Sequence, residues 1–195
     1  MAHDRQTQNV LVLELATMVV AIALALAANY LVAFDFRTIL SFVFATGIVI
    51  WFWWGYVMDR LAYPQRSGKF PLEDVFVLIF ISLIPFSLRQ GEVYALSTTL
   101  AAVLLAWALM IYGIIRENRD KLLHEARRKL SLEVEQRVIV GLLLIADAII
   151  DLVRPDIGFI LLFVPGVFAI VWSLVAYFAD VTHTHADQSL LSHHT

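Results

Sequence analysis

The 195-residue chain contains no cysteine and few charged residues. The absence of cysteine excludes disulfide bonds, thiolate catalysis and cysteine-ligated zinc or iron–sulfur sites. Charged residues make up 16% of the chain and apolar residues 61%, and the mean hydropathy is +0.79. A soluble domain has only about 45–50% apolar residues. The composition therefore predicts an integral membrane protein whose main partner is the lipid bilayer.

Recognisable catalytic and nucleic-acid-binding patterns are also missing. The net charge of -3 gives no reason to expect nucleic acid as a partner. The sequence has no phosphate-binding loop, no convincing Ser/His/Asp arrangement, no zinc-binding His-x-x-x-His pattern and no Thr-Val-Gly-Tyr-Gly potassium filter. We therefore expect no enzymatic activity, no cofactor and no metal site.

Apolar stretches between charged clusters predict an all-α membrane protein with six transmembrane helices, since a span needs about 20 apolar residues. The predicted spans cover residues 10–34, 38–58, 72–88, 93–115, 138–153 and 157–179. They form one predicted transmembrane domain over residues 1–180. The remaining segment, 181–195, contains four histidines and is predicted to be a flexible tail.

Basic residues are distributed unequally between the two predicted sides of the membrane. Of the 14 Lys and Arg residues, eleven lie on the predicted side of the N-terminus. The three on the opposite side are Arg37, Arg89 and Arg154. Because cytoplasmic loops carry the excess of Lys and Arg, both termini are predicted to be cytoplasmic in a multi-pass protein of the cell membrane. Residues 116–137 pair acids with bases four positions later and predict a charged cytoplasmic helix between the fourth and fifth spans.

Two aspartates interrupt the fifth predicted span. Asp147 lies nine residues from Val138, about 13 Å deep at 1.5 Å per residue. A charge at that depth costs about 2.5–3.5 kcal/mol, so the side chain should face protein or water. Asp147 and Asp151 therefore predict a cation or proton pathway. The alternative is a structural pair of Asp151 with Arg154, beside a neutral Asp147 bonded between helices.

Polar residues also interrupt the first predicted span, at Glu14 and Asn29. Glu14 lies about one turn from the predicted cytoplasmic end. Its carboxylate either lies at the mouth of an ion pathway, where it attracts cations, or is an acid at the membrane interface. The tryptophans at 51, 53 and 54, with Tyr56, indicate an aromatic belt at the cytoplasmic end of the second span.

Three segments resemble the endosomal and lysosomal potassium-channel family, of the transmembrane protein 175 type. Val19–Leu24 is similar to that family's first-helix Val-Phe-Ala-Ile-Ala-Ile run. Ser41-Phe42 followed by Trp51–Trp54 resembles its second-helix pattern, and Ile81–Ser87 its third-helix Ser-Leu-Leu-Pro-Phe stretch. The family's Phe-Ser-Asp signature is replaced here by Leu15–Thr17, which makes the chain resemble a divergent member.

The resemblance implies a potassium-permeable cation channel subunit that assembles as a homo-oligomer, a tetramer in that family. It implies a pore lined by the first helix with a hydrophobic constriction at Ile22, and Thr17 and Asn29 are further candidate pore residues. Two other functions stay open. One is a proton- or ion-coupled transporter that uses Asp147; the other is a non-conducting membrane scaffold that recruits a partner through residues 116–137.

Overall fold

The computed structural model of the protein describes residues 2–29, 35–63, 72–90, 92–119, 122–172 and 175. Within these ranges all regular secondary structure is helical, which confirms the predicted all-α class. The helices are α1 (Ala2–Asn29), α2 (Phe36–Ala62), α3 (Leu72–Gln90), α4 (Val93–Glu117), α5 (His124–Val153) and α6 (Pro155–Leu161).

Within the described ranges, three helices are long and apolar enough to cross a membrane, as expected for a membrane protein. They are α2, α4 and the stretch Pro155–Trp172, which joins α6 to the helical turns after it. The apolar part of α1, Leu13–Asn29, is shorter. Charged residues lower the hydropathy of α3 and α5. Helix α3 contains Glu73, Asp74 and Arg89, and the apolar half of α5 contains Arg137, Asp147 and Asp151.

Helix α4 is the centre of the bundle. It packs against α2, α3, α5 and α6, and almost every turn contributes a buried side chain, including the fully buried Trp107. Helix α1 lies at the edge and packs against α2 and α3 through Ala16, Val20, Ala23 and Ala27. Small side chains at this spacing let helix backbones approach closely. One face of α1 is thereby buried and the opposite face is left open.

Asp35 fixes the start of α2. Its carboxylate accepts hydrogen bonds from the backbone N–H of Thr38 at 2.7 Å and from the Thr38 hydroxyl at 2.9 Å. The first backbone N–H groups of a helix have no partner within the helix, and an aspartate at the N-cap supplies one. These bonds favour the ionised form and lower the pKa of Asp35 below its ordinary value.

The charged segment 116–137 does not form a separate helix, contrary to the sequence-based prediction. Helix α4 ends at Glu117, and α5 begins at His124 and continues without a break to Val153. No proline interrupts this stretch, and Leu130, Gln136 and Arg137 are buried against the bundle. The charged residues from His124 onward therefore form the first half of α5, continuous with the predicted fifth span.

The last predicted span begins as a helix and is interrupted by a turn at Leu162. The interruption lies just after Leu161, the residue four positions before Pro165. A proline ring clashes with the carbonyl four residues earlier and cannot donate a hydrogen bond to it. Helical structure then resumes and is described to Trp172. The end of the first predicted span (30–34), most of 173–179 and the predicted histidine-containing tail (181–195) lie outside the described residues.

Candidate functional site

The open face of α1 carries most of the predicted pore residues. We call it the α1 stripe, and it consists of Glu14, Met18, Ala21, Ile22, Ala25 and Asn29, all exposed. Ile22 lies about two turns from both Glu14 and Asn29, so the three side chains share one side of the helix. Half of the Ile22 surface is exposed (50%). Ile22 thus lies between two polar positions on a surface that the described residues leave uncovered.

Thr17 lies at the margin of the α1 stripe and contacts α2. The indole Nε1 of Trp53 donates a hydrogen bond to Thr17 Oγ1 at 3.2 Å. The Thr17 hydroxyl in turn donates to the backbone carbonyl of Leu13 at 2.8 Å. This residue therefore attaches α1 to α2, and it is the one predicted pore residue with a described side-chain bond to another helix.

The two aspartates of α5 face α4 and are buried. The Ser97 hydroxyl donates to Asp147 Oδ2 at 2.6 Å, and the backbone N–H of Tyr94 donates to Asp151 Oδ2 at 2.9 Å. The second carboxylate oxygen of each aspartate is buried without a hydrogen-bond partner among the described residues. Arg154, the alternative partner proposed for Asp151, is exposed and forms no described ion pair with it.

The α1 stripe and the aspartate pair are separate features of the bundle. Helix α1 packs on α2 and α3, whereas α5 packs on α4 and α6. Glu14 is exposed, while Asp147 and Asp151 are 3% and 6% exposed. The structure therefore brings Asp147 and Asp151 together, and it brings Glu14, Ile22 and Asn29 together, but it gives no described contact between the two groups.

A third group of polar residues connects the C-terminal end of α2 to α3. The Tyr56 hydroxyl donates to Asp74 Oδ2 at 2.7 Å, and the Arg60 guanidinium forms a salt bridge with Asp74 Oδ1. Asp74 is fully buried, and Tyr56 and Arg60 are buried as well. A buried carboxylate that is both paired and hydrogen-bonded satisfies the usual requirement for a charge inside protein.

The same end of α2 faces a buried arginine on α5. The Arg137 guanidinium carbon lies 3.7 Å from the centre of the Trp107 ring and 5.6 Å from that of Trp51. Arg137 also forms a salt bridge with Glu133 at 3.2 Å. Asp59, buried on α2, interacts electrostatically with Arg137 and Glu133. The α2 charge cluster is the name we give to the polar residues of both groups: Tyr56, Asp59, Arg60, Asp74, Glu133 and Arg137.

Close packing of α2 on α4 positions the aromatic surface beneath Arg137. At Gly55, a Cβ atom would lie 2.5 Å from Cζ2 of Trp107, so only glycine leaves space for the ring. Phe52 and Trp51 contact the same ring edge-on, with centroid separations of 5.1 and 5.2 Å. Arginine stacks well on aromatic faces because its charge is delocalised over a plane.

Sequence reasoning missed the α2 charge cluster. The sequence pattern indicated an interfacial aromatic belt, which fits Trp54, 63% exposed, but not the fully buried Tyr56. The available signal was the spacing of Phe52, Tyr56 and Asp59-Arg60, which places acid and base on the buried side of α2. A salt bridge to residues on other helices has no local pattern in the sequence.

No protein-family model, curated protein or solved structure matches the chain. The resemblance to the endosomal and lysosomal potassium-channel family therefore stays a prediction based on the quoted motifs.

Proposed function

We propose that the chain is the subunit of a homo-oligomeric, potassium-permeable cation channel whose pore is lined by the α1 stripe. In this proposal Ile22 forms the hydrophobic constriction, with Glu14 toward one mouth of the pore and Asn29 toward the other. The subunit has six spans and both termini in the cytoplasm, as a multi-pass protein of the cell membrane. By resemblance, the oligomer is a tetramer.

The observation that carries the proposal is the exposure of a carboxylate and an amide on the same face as Ile22. Lipid does not solvate such groups, and charged residues within membrane helices usually face protein or a water-filled cavity. Symmetric packing of α1 helices around a central axis would give Glu14 and Asn29 an aqueous environment. Ala21 and Ala25 on the stripe are small enough for neighbouring helices to approach closely.

A ring of isoleucines provides a physical gate in this arrangement. Hydrophobic constrictions control conduction by losing their water, and they open when the side chains move apart or become more polar. The polar residues two turns away on either side keep the flanking parts of the pore hydrated. Conduction would therefore be limited at Ile22.

Reconstitution of the purified chain in liposomes tests the proposal. With a potassium gradient and no proton gradient, we expect potassium flux that follows the electrochemical gradient and does not saturate like a carrier. Absence of flux from a folded oligomer would contradict the channel and favour the scaffold that recruits a partner through the first half of α5.

Coupled transport is a second candidate function, favoured by the burial of Asp147 with an oxygen that lacks a partner. Buried acids inside membrane proteins commonly carry protons or cations. This function predicts saturable flux that requires a proton gradient and is abolished by Asp147→Asn. A passive channel predicts that the same substitution leaves the dependence on the potassium gradient unchanged.

The natural absence of cysteine makes the six-span topology directly testable. Single substitutions Glu92→Cys and Arg128→Cys introduce one thiol each at exposed positions at opposite ends of the proposed subunit. In intact cells, a membrane-impermeant maleimide should label the first thiol and should label the second only after permeabilisation. Equal labelling of both in intact cells would contradict the topology.

A further inference from the structure

Helices α4 and α5 run antiparallel in a constant register. Ser97 on α4 contacts Asp147 on α5, and ten residues further along α4 Trp107 contacts Arg137, which lies ten residues earlier on α5. Both helices rise about 1.5 Å per residue, so this register continues toward the end of α4. The end of α4 and the start of α5 therefore lie at the same level of the bundle.

Four arginines gather at this level, and all four are exposed. Arg116 is in the last turn of α4 and Arg119 follows its end, while Arg127 and Arg128 lie within the first five residues of α5. Among the described residues, none of the four has an ion pair or a side-chain hydrogen bond. We call these four arginines, together with Leu123 between them, the α4–α5 corner.

Hydrogen bonds and packing hold the α4–α5 corner in place. The side-chain amide of Asn118 donates to the carbonyl of Ile114 at 3.0 Å, and the backbone carbonyl of Asn118 accepts from the N–H of Leu122 at 3.0 Å. Ile114 and Leu130, which the register places level with each other, are both buried. The two helices thus remain packed together up to this end, and the arginines project from a defined surface.

The sequence around the α4–α5 corner is basic. Residues 116–129 include six Lys or Arg and three Asp or Glu, a net charge of +3, although the whole chain has a net charge of -3. The exposed acids described in this stretch, Glu117 and Glu125, form no described salt bridge with the four arginines. The positive charge is therefore available to a partner, and it complements an anionic one.

The length of α4 places the corner in the headgroup layer of a membrane. Helix α4 is apolar enough to span the bilayer, and Arg116 lies 23 residues after Val93, about 35 Å along the helix. A bilayer has a hydrocarbon core about 30 Å thick and measures about 40–45 Å with its headgroups. A helix that enters at one boundary of the core therefore brings Arg116 to the phosphates at the opposite boundary.

Leu123 adds an apolar side chain to this basic surface. It precedes α5, its carbonyl accepts a hydrogen bond from the N–H of Arg127 at 3.0 Å, and it is 79% exposed. An exposed apolar side chain beside cations is typical of surfaces that lie at the boundary between headgroups and acyl chains. An inorganic anion would gain nothing from this leucine, whereas the acyl chains of a lipid would contact it.

We propose that the α4–α5 corner binds anionic phospholipids of the surrounding bilayer, with the arginines on the phosphate and headgroup oxygens and Leu123 against the acyl chains. The planar guanidinium group of arginine matches the geometry of phosphate oxygens and can donate two parallel hydrogen bonds to them. In the proposed topology the lipids belong to the cytoplasmic leaflet, whose surface is negative. The proposal requires α4 to cross the membrane but does not require α1 to conduct. It therefore goes beyond the proposed channel function and would serve a transporter or a scaffold equally.

Binding of a fluorescent phosphatidylglycerol to the full chain in neutral detergent micelles tests the proposal without measuring conduction. Unlabelled phosphatidylglycerol should displace the fluorescent lipid. Phosphatidylcholine has a phosphate and acyl chains but no net charge, and inorganic phosphate has the charge but no acyl chains, so neither should displace it at the same concentration. Equal displacement by phosphatidylcholine or by inorganic phosphate would overturn the proposal.

Paired substitutions at the two ends of the bundle locate the binding. Arg127→Gln combined with Arg128→Gln should weaken phosphatidylglycerol binding several-fold, and Leu123→Gln should weaken it less. Arg37→Gln combined with Arg154→Gln removes the same charge from exposed positions at the other end and should leave the affinity unchanged. Equal weakening by the two pairs, or none at Arg127 and Arg128, would overturn the proposal. A chain that binds phosphatidylglycerol at the corner but passes no potassium would contradict the channel alone.

Discussion

Arg137 and Trp107 form a stacked pair inside the helical bundle, with the guanidinium carbon 3.7 Å from the ring centre. The pair connects α5 to α4, and both side chains are almost completely buried. Glu133 forms a salt bridge with the guanidinium group, and the buried Asp59 interacts with it electrostatically. The charged first half of α5 is therefore fixed to the bundle rather than free in solvent.

Replacing Arg137 should strongly destabilise the protein. Arg137→Met removes the guanidinium group from the partly exposed Glu133 and from the Trp107 ring, and leaving a hydrogen-bonding group without its partner typically costs about 1–3 kcal/mol. Arg137→Lys should recover part of this stability, since lysine keeps the charge but lacks the planar group that stacks on Trp107. Unfolding in detergent measures both effects. Arg128→Met, at an exposed position of the same helix, serves as the control.

Two glycines of α2 should respond oppositely to alanine. Gly55→Ala would place Cβ 2.5 Å from the Trp107 ring, and overpacking of this kind costs about 1–3 kcal/mol. At Gly47 a Cβ would meet no atom within 4 Å, so Gly47→Ala should stabilise α2 by about 0.5–1 kcal/mol. Thermal unfolding of the two variants checks the prediction. Equal effects would contradict the close contact between α2 and α4.

The hydrogen bond from Trp53 to Thr17 should contribute to the attachment of α1. Thr17→Val keeps the side-chain shape and removes the acceptor, and Trp53→Phe removes the donor. A net contribution of about 1 kcal/mol is expected for such a bond. A double-mutant cycle should therefore give a coupling energy of this size. Additive effects of the two substitutions would show that the two side chains do not interact.

Acidification should weaken the start of α2. Hydrogen bonds from Thr38 lower the pKa of Asp35, so the ionised side chain is favoured in the folded state. Its stabilising effect is present above the ordinary carboxyl pKa and is lost as pH falls through the lowered value. The stability difference between the unmodified chain and Asp35→Ala should therefore shrink in acid. Asp35→Asn, which keeps a capping side-chain oxygen but does not ionise, should retain its advantage over Asp35→Ala in acid.

The sequence predicted the features that depend on composition and local periodicity. The all-helical class follows from long apolar stretches between charged clusters. The C-terminal end of α5 at Val153 and the start of α4 at Val93 coincide with the predicted limits of two spans. The predicted depth of Asp147 favours protein or water around its side chain, because a charge there is costly in lipid, and the structure buries it against Ser97.

Features that depend on contacts between distant helices could not be predicted. The partner of Asp151 is a backbone N–H on α4, 57 residues away, and a backbone group leaves no trace in the sequence. The acid and base spacing before Arg137 predicted a separate charged cytoplasmic helix, because such spacing suits a surface helix. Most of the charged side chains of this segment are exposed, but Arg137 is buried by contacts with Trp107 and Asp59, which lie on other helices.

Two isoleucines of nearly equal exposure allow the most direct test of the proposed pore. Ile22 on the α1 stripe is 50% exposed, and Ile50 on α2 is 52% exposed. If α1 lines the pore, Ile22→Asn should make the constriction polar and raise potassium flux into liposomes several-fold. Ile50→Asn should leave the flux at its original level. An equal response to the two substitutions, or none at Ile22, would contradict the assignment of the α1 stripe to the pore.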